Sequence, residues 1–262
     1  MRLFKKLRQK IISNKFKVGS ARKYLIYALG EILLLVVGIL VALQINIKRE
    51  HYILSQKQEK HLKLIRGEMV NNLSSLENED GELVNIMDNT KKLLNLMAQK
   101  RQPIEINERE LSGLLMETIS RRVSINHENG AMSELISSGG LKDIKNDSIR
   151  SIIASWDGRL KQVRSQEQSL QIYFDYAHNH MLTNGSYRTL FEDIGFNENL
   201  EVVRTNEPKS NKILLTSIEF ENILVNYLGV SYTLHHRSYA TFRNELRQLI
   251  QLLEKELKPD DT

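Results

Sequence analysis

The feature that most constrains this sequence is an apolar run from Tyr24 to Ile47 that contains a single acidic residue, Glu31. As a helix, these 24 residues extend about 36 Å, enough to cross the roughly 30 Å hydrocarbon core of a bilayer. No small-residue cleavage site follows the run, and the helical pattern continues past Lys48. The run therefore predicts an uncleaved signal anchor, a transmembrane helix over residues 24–47.

The distribution of charge predicts the orientation of this helix. Residues 1–23 hold nine of the 37 basic residues and no acid, so the remainder has 28 basic against 32 acidic residues, a net charge of −4. The positive-inside rule places the basic tail in the cytoplasm and the C-terminal region outside, which in a bacterium is the periplasm. We expect a single-pass inner-membrane protein. Because the body is mildly acidic, no nucleic-acid partner is expected.

The basic tail has an amphipathic pattern of its own, with Leu3, Phe4, Leu7 and Ile11 on one helical face. Such a helix suits the surface of an anionic inner leaflet, where each basic residue contributes about 1 kcal/mol. The residues expected to contact lipid headgroups are Lys5, Lys6, Arg8 and Lys10. A disordered tail that serves only to set topology is the alternative.

Glu31 predicts an interaction within the membrane. A carboxylate at this depth costs on the order of 1–3 kcal/mol unless a proton or a partner group neutralises it. Gly38 follows Glu31 by seven residues and Ala42 follows Gly38 by four, so all three share one helical face on which small residues permit close approach. We interpret this face as a seam for self-association or for a partner protein. The alternative is a tolerated acid at the inner interface, with an apolar core reduced to Ile32–Ile47.

The rest of the chain has the period of helices, without sustained alternation typical of strands. The predicted order is a stalk or bundle helix over 48–102, which ends before Pro103, and a helical remainder over 103–262 with a loop-rich interval at 183–215. Expected helix starts are Asn107, Asn146 and a capping box at Thr216–Glu219. Apolar stripes run along the three longest helices: Leu62 to Met97, Ile149 to Phe174, and Leu224 to Leu253.

These stripes predict an all-α fold, in which the transmembrane helix continues into an extracytoplasmic helical bundle. The stripe from Leu62 to Met97 would also suit a parallel coiled coil with a second copy. We favour the intramolecular bundle, because the last helix needs an equally long partner.

The run "YLIYALGEILLLVVGILVALQIN", with the tail "FKKLRQ" before it, resembles a family of flavobacterial-type single-pass membrane proteins with a domain of unknown function. The resemblance extends to "AMSELISSGGLKDIKNDSIRSIIASW", through the residues Ala131, Glu134, Leu135, Ser138, Gly139, Asn146, Ile149, Arg150 and Trp156. Ile47 stands where family members often have Trp. The resemblance implies a topology and a membrane location, and no activity.

The sequence offers little catalytic chemistry. It has no cysteine, no phosphate loop, no dinucleotide fingerprint and no His-Glu-x-x-His motif. His178 and His180 are two residues apart on divergent faces, and the adjacent His235 and His236 cannot both point inward, so neither pair suits a metal. We expect packing or surface histidines, no metal, no cofactor and no enzymatic activity.

Two functions remain after this search. The first is a membrane-anchored interaction or accessory protein that assembles with a protein partner, or with itself, through its transmembrane helix and bundle. The alternative is a sensor-like periplasmic bundle, which would act through a partner because 23 cytoplasmic residues cannot hold an output domain. A ligand pocket lined by Trp156, Tyr173 and Tyr176 would favour the sensor, and a filled core there would disfavour it.

Overall fold

A computed structural model describes residues 20–99 and 105–257 of the chain, and side chains from Tyr24 onward. This part is all-α and contains no strand, as predicted. The α-helices in chain order are α1 (Ser20–Ala98), α2 (Glu108–Ile119), α3 (Gly130–Ser137), α4 (Asp147–Asn184), α5 (Tyr187–Ile194), α6 (Phe196–Asn199), α7 (Ile218–Thr233) and α8 (Ala240–Leu257). The predicted headgroup contacts Lys5, Lys6, Arg8 and Lys10, and also Pro103, lie outside the described residues.

The chain divides into two compact units between Lys57 and Gln58. In the first unit, every residue from Tyr24 to Leu54 except Ala28 is exposed. The most apolar stretch of 18 residues on α1 has a mean hydropathy of 2.6, and none of its residues is buried. By length and composition, this helix can therefore cross a membrane.

The second unit is a helical bundle whose core follows the predicted stripes. Two clusters of buried side chains are present. The larger joins α1 to α4, α7 and α8 through Leu62, Ile65, Met69, Leu76, Leu83, Ile149, Trp156, Val163, Tyr227, Phe242 and Leu249, among others. The smaller joins the C-terminal part of α1 to α2, α5 and the end of α4 through Leu93, Met97, Leu111, Leu115, Met181 and Leu190, among others. The stripe of α1 after Leu62 is thus buried within the chain itself.

Polar side chains at the predicted positions begin several helices. The Asn107 side chain accepts a hydrogen bond from the backbone N–H of Glu110, and Asn146 caps α4 in the same way. One predicted cap is displaced: Ser217, not Thr216, caps α7 by accepting from the N–H of Phe220. The reason is that Thr216 still belongs to a 3₁₀ turn, Asn211–Thr216, which ends one residue later than the pattern suggests.

Two features differ from the predicted helix pattern. The interval 183–215 contains α5, which Ser186 caps and Gly195 ends in a left-handed conformation (φ 80°). An eight-residue amphipathic helix is too short to stand out from the surrounding Asn and Gly residues. The second difference is a π-helical turn, Leu234–Tyr239, between α7 and α8. It interrupts the single long helix predicted for this segment.

Candidate functional site

The residues predicted to form the membrane seam, Glu31, Gly38 and Ala42, lie on an uninterrupted stretch of α1. At 3.6 residues per turn, their spacing keeps them within about 20° of one line along the helix. All three are exposed, and a Cβ added at Gly38 would meet no atom within 4 Å. This face has room for a closely approaching second helix.

Trp156 lies in the core of the second unit, where it is 1% exposed. Its ring centroid is 5.4 Å from that of Phe242 and 6.1 Å from that of His127, and its Nε1 donates to Nε2 of His127 at 3.2 Å. Burial, together with the nearby guanidinium of Arg164, lowers the pKa of His127 to about 4. The space around Trp156 is a filled core.

A buried carboxylate links three segments of this core. Glu167 on α4 is 5% exposed, and it accepts hydrogen bonds from the backbone N–H of Ile125 at 2.8 Å and from the Tyr239 hydroxyl at 2.9 Å. Burial raises the pKa of Glu167, and burial beside this carboxylate raises that of Tyr239. The buried carboxylate, the N–H of Ile125 and the Tyr239 hydroxyl thus all have hydrogen-bond partners. These bonds stabilise the packing of the α2–α3 loop and the π turn against α4.

The same π turn contacts α1 through a second buried acid, Asp80. Nδ1 of His235 lies 2.6 Å from Oδ1 of Asp80, and Arg243 forms an ion pair with Oδ2. Sequence reasoning did not find this pair, because 155 residues separate Asp80 from His235. A π turn inside an otherwise predicted helix is a recurrent mark of a functional or strained position, although no sequence pattern indicated one here.

The remaining histidines named from the sequence have packing contacts. Nδ1 of His178 lies 2.7 Å from the hydroxyl oxygen of Tyr187. His180 is buried and stacks on Phe220, with ring centroids 5.2 Å apart. His236 is exposed. Over residues 20–99 and 105–257, no group of three or more His, Asp and Glu side chains is placed to hold a metal ion.

An open concavity lies between α4 and α7, and we call it the α4–α7 groove. The two helices are antiparallel, since His180 near the end of α4 contacts Ser217 at the start of α7. The groove encloses about 860 Å³. Its lining residues are Tyr173, Tyr176, Asn179, His180, Thr183, Asn184, Ile218, Glu219, Asn222, Ile223 and Asn226.

The lining is aromatic and amide-rich, with little charge. The rings of Tyr173 and Tyr176 meet edge to face, 5.9 Å apart at 83°. Glu219 is the single carboxylate of the lining, and its Oε2 lies 3.6 Å from Nδ1 of His180. Of the three residues whose shared pocket would favour a sensor, Tyr173 and Tyr176 line this groove and Trp156 lies in the core.

Elsewhere in the second unit, two asparagines hold backbone segments by paired hydrogen bonds. Oδ1 of Asn72 accepts from the N–H of Glu128 at 2.7 Å, while its Nδ2 donates to the carbonyl of the same residue at 2.7 Å. Asn211 makes the same pair of bonds with Ser186, at 2.7 and 3.1 Å. We call this arrangement the asparagine clamp. Both clamped residues lie outside helices.

The residues that carry the family resemblance have structural contacts where the structure describes them. Gly139 adopts a left-handed conformation (φ 72°) after α3. Asn146 caps α4, and Arg150 donates to the carbonyl of Ile144 at 2.9 Å. Leu135 and Trp156 lie in the core. Comparisons with models of known protein families, with curated proteins and with solved structures find no match to this chain.

Proposed function

We propose that this chain is a membrane-anchored interaction protein without enzymatic activity, in which α1 crosses the bacterial inner membrane and the second unit forms a periplasmic module for a protein partner. The observation that supports this function best is the exposed apolar surface of α1 from Tyr24 to Ile47, interrupted by Glu31. In water such a surface would aggregate. In a bilayer it is solvated everywhere except at the carboxylate.

The charge distribution supports the orientation in this proposal. Nine basic residues precede the apolar stretch, and four of them, Lys5, Lys6, Arg8 and Lys10, supply positive charge for anionic headgroups. The resemblance to flavobacterial-type single-pass proteins agrees with the same topology. Both considerations support a position of the second unit outside the cytoplasm.

The seam formed by Glu31, Gly38 and Ala42 is the element proposed to assemble the protein. Interhelical hydrogen bonds in a membrane contribute about 0.6–2 kcal/mol, and small residues let the helices approach closely enough to form them. A hydroxyl, amide or basic group on the neighbouring helix would offset the cost of placing the carboxylate in the bilayer. The neighbour is either a second copy or another envelope protein.

The proposal is tested by isolating tagged protein from native membranes in mild detergent. Wild type is compared with Glu31→Gln and Gly38→Leu, and Val36→Leu on the opposite helical face serves as the matched control. Mass photometry gives the stoichiometry and mass spectrometry the partner. We expect wild type and Val36→Leu to form the same assembly. In Glu31→Gln and Gly38→Leu, less of the protein should be assembled. Bare monomers in all four samples would reject an assembly role for the seam.

A second candidate function, a sensor-like ligand-binding bundle, is favoured by one observation: Tyr173 and Tyr176 line an open groove. The filled core around Trp156 removes the third residue from that site. Thermal unfolding of the full chain against a panel of amino acids and sugars tests this function. A saturable rise in melting temperature that Tyr176→Ala abolishes would favour a sensor, and unchanged melting across the panel would count against it.

A further inference from the structure

We propose that the α4–α7 groove binds an extended, uncharged peptide segment of the partner, clamped by the side-chain amides of Asn179 and Asn222. This inference deepens the proposed function, on which it rests for the existence of a partner. It names the surface of the second unit that takes the partner and the chemistry that the partner presents.

The dimensions of the groove fit a short extended segment. Its α4 lining runs from Tyr173 to Asn184, which at about 1.5 Å per residue is about 16 Å. An extended chain rises about 3.3 Å per residue, so about five residues cover this length. The groove has a volume of about 860 Å³ and is open to solvent, so an extended chain can enter it without a rearrangement of the helices.

Asn179 and Asn222 face the groove from its two sides, and their amides are free to bind. Neither side chain makes a hydrogen bond with any part of the chain that the structure describes, whereas the amides of Asn184 and Asn226 donate to carbonyls within their own helices. A primary amide offers one acceptor and two donors. It therefore matches the N–H and C=O of one extended residue.

The protein already uses this bonding pattern internally. In both asparagine clamps, Asn72 on Glu128 and Asn211 on Ser186, one amide binds both backbone groups of one non-helical residue. Ser186 has extended dihedral angles (φ −136°, ψ 102°). The free amides of Asn179 and Asn222 present the same groups to an incoming chain.

The charge and shape of the lining favour an uncharged peptide over other ligands. No Lys or Arg lines the groove, and its single carboxylate, Glu219, is largely exposed, so water and salt screen the charge that an ionic ligand would have to match. Ile218 and Tyr176 expose apolar surface that suits apolar side chains. The edge-to-face arrangement of Tyr173 and Tyr176 does not form the parallel platform on which a sugar ring stacks.

The test uses the full chain in nanodiscs and a library of end-blocked hexapeptides built from uncharged residues. The best binder is then compared with its N-methylated versions, which lack single backbone N–H donors, and with chitotetraose as a neutral oligosaccharide. We expect one N-methyl group to weaken binding about tenfold, the effect of losing about 1.4 kcal/mol of hydrogen bonding. Asn179→Ala and Asn222→Ala should each weaken binding of the unmodified peptide by a similar factor.

Matched variants exclude misfolding, and the loss of any exposed asparagine, as causes of weaker peptide binding. Asn244→Ala removes an exposed asparagine of α8 outside the groove and should leave binding unchanged. Asn222→Asp is nearly isosteric but lacks the donors, and should weaken binding as Asn222→Ala does. Thermal unfolding should confirm that all four variants fold, because Ala is favourable at exposed helix positions and Asp is nearly isosteric with Asn.

Several results would overturn the inference: no library member bound by wild type, equal affinity of the N-methylated peptides, unchanged affinity in both groove variants, or chitotetraose bound in preference to peptide. Failure here is separable from failure of the proposed function. If Glu31→Gln still loses a partner that wild type captures while no peptide binds, the groove inference alone fails. If peptides bind as expected but no partner assembles in membranes, the proposed function fails.

Discussion

The two stretches of α1 on either side of Lys57 share one backbone conformation and differ in what surrounds them. From Tyr24 to Ile47, apolar residues cover nearly the whole circumference of the helix and are exposed. After Gln58, apolar residues recur every third or fourth position and are buried by α4, α7 and α8. Helix formation is common to both stretches, but only the second takes its stabilisation from the chain itself. The first needs a solvent or a partner that the chain does not supply.

The acids of the two stretches differ in the same way. Asp80 in the second stretch is buried against His235 and Arg243, so its charge is compensated within the bundle. Glu31 in the first stretch makes no ion pair or hydrogen bond with the described part of the chain. Asp80 therefore contributes to the folded bundle, whereas no group in the described part of the chain compensates the charge of Glu31.

The largest effect should come from one substitution made in both stretches. Leu83→Ala removes a fully buried side chain and should destabilise the second unit by about 2–5 kcal/mol, through lost burial and a residual cavity. Leu40→Ala, at a residue 55% exposed, should leave this unfolding transition unchanged. Urea denaturation of the full chain in micelles, followed by circular dichroism, measures both. Equal losses would mean that the first stretch contributes to the core.

A smaller loss of stability should follow from removing the side-chain amide of one asparagine clamp. Asn72 is fully buried, so Asn72→Ala leaves the backbone N–H and C=O of Glu128 without their partners. Each unsatisfied buried group costs about 1–3 kcal/mol, and we expect a total loss near the lower end because Glu128 itself is partly open to water. Asn244→Ala is the control and should be nearly neutral in the same denaturation measurement.

The parts of this fold that were predictable are the local ones. The caps Asn107 and Asn146 and the stripe from Ile149 to Phe174 follow from side-chain chemistry and from the 3.6-residue period, which act over a few residues. The apolar run after Tyr24 is also local. These features depend little on the rest of the chain, and the structure agrees with them.

The parts that were not predictable depend on distant contacts or on a balance between similar local structures. The pair of Asp80 with His235 and the contact of Glu167 with Tyr239 both join the π turn to residues that are distant in the sequence. A π turn has no composition of its own. A pocket shared by Trp156, Tyr173 and Tyr176 would have favoured a sensor, but a helix places the two tyrosines about 25 and 30 Å along its axis from Trp156, on another face.

Acidification should destabilise the second unit through its largely buried histidine, His127. His127 has a native pKa of about 4 against 6.5 when exposed, so between these values the unfolded chain binds a proton that the native state does not. Stability should therefore fall as the pH is lowered from 6.5 towards 4. His127→Gln, which can still accept from Trp156, should make this fall shallower. Urea denaturation across that pH range gives the slopes.

Glu167 provides the opposing control for this pH dependence. Because its native pKa is raised above 4.5, the native state holds the proton more tightly than the unfolded chain, and stability falls as the pH rises from 4.5 through the native value. Glu167→Gln removes this opposing contribution, so the loss on acidification should become steeper. Slopes that shift in the same direction in both variants would contradict the two assigned environments.

The smallest effect should come from the charged surface of the second unit. Arg247 donates to Glu77 at 2.8 Å, but both side chains are about half exposed, so water and salt screen the pair. Arg247→Gln should cost less than about 1 kcal/mol in urea denaturation, and 1 M NaCl should remove the difference from wild type. If this loss matched that of Leu83→Ala, the second stretch of α1 would be held by its ion pairs rather than by its buried stripe. The distinction between the two stretches would then rest on charge, and Glu31 would differ from Glu77 only in lacking a basic neighbour within the described part of the chain.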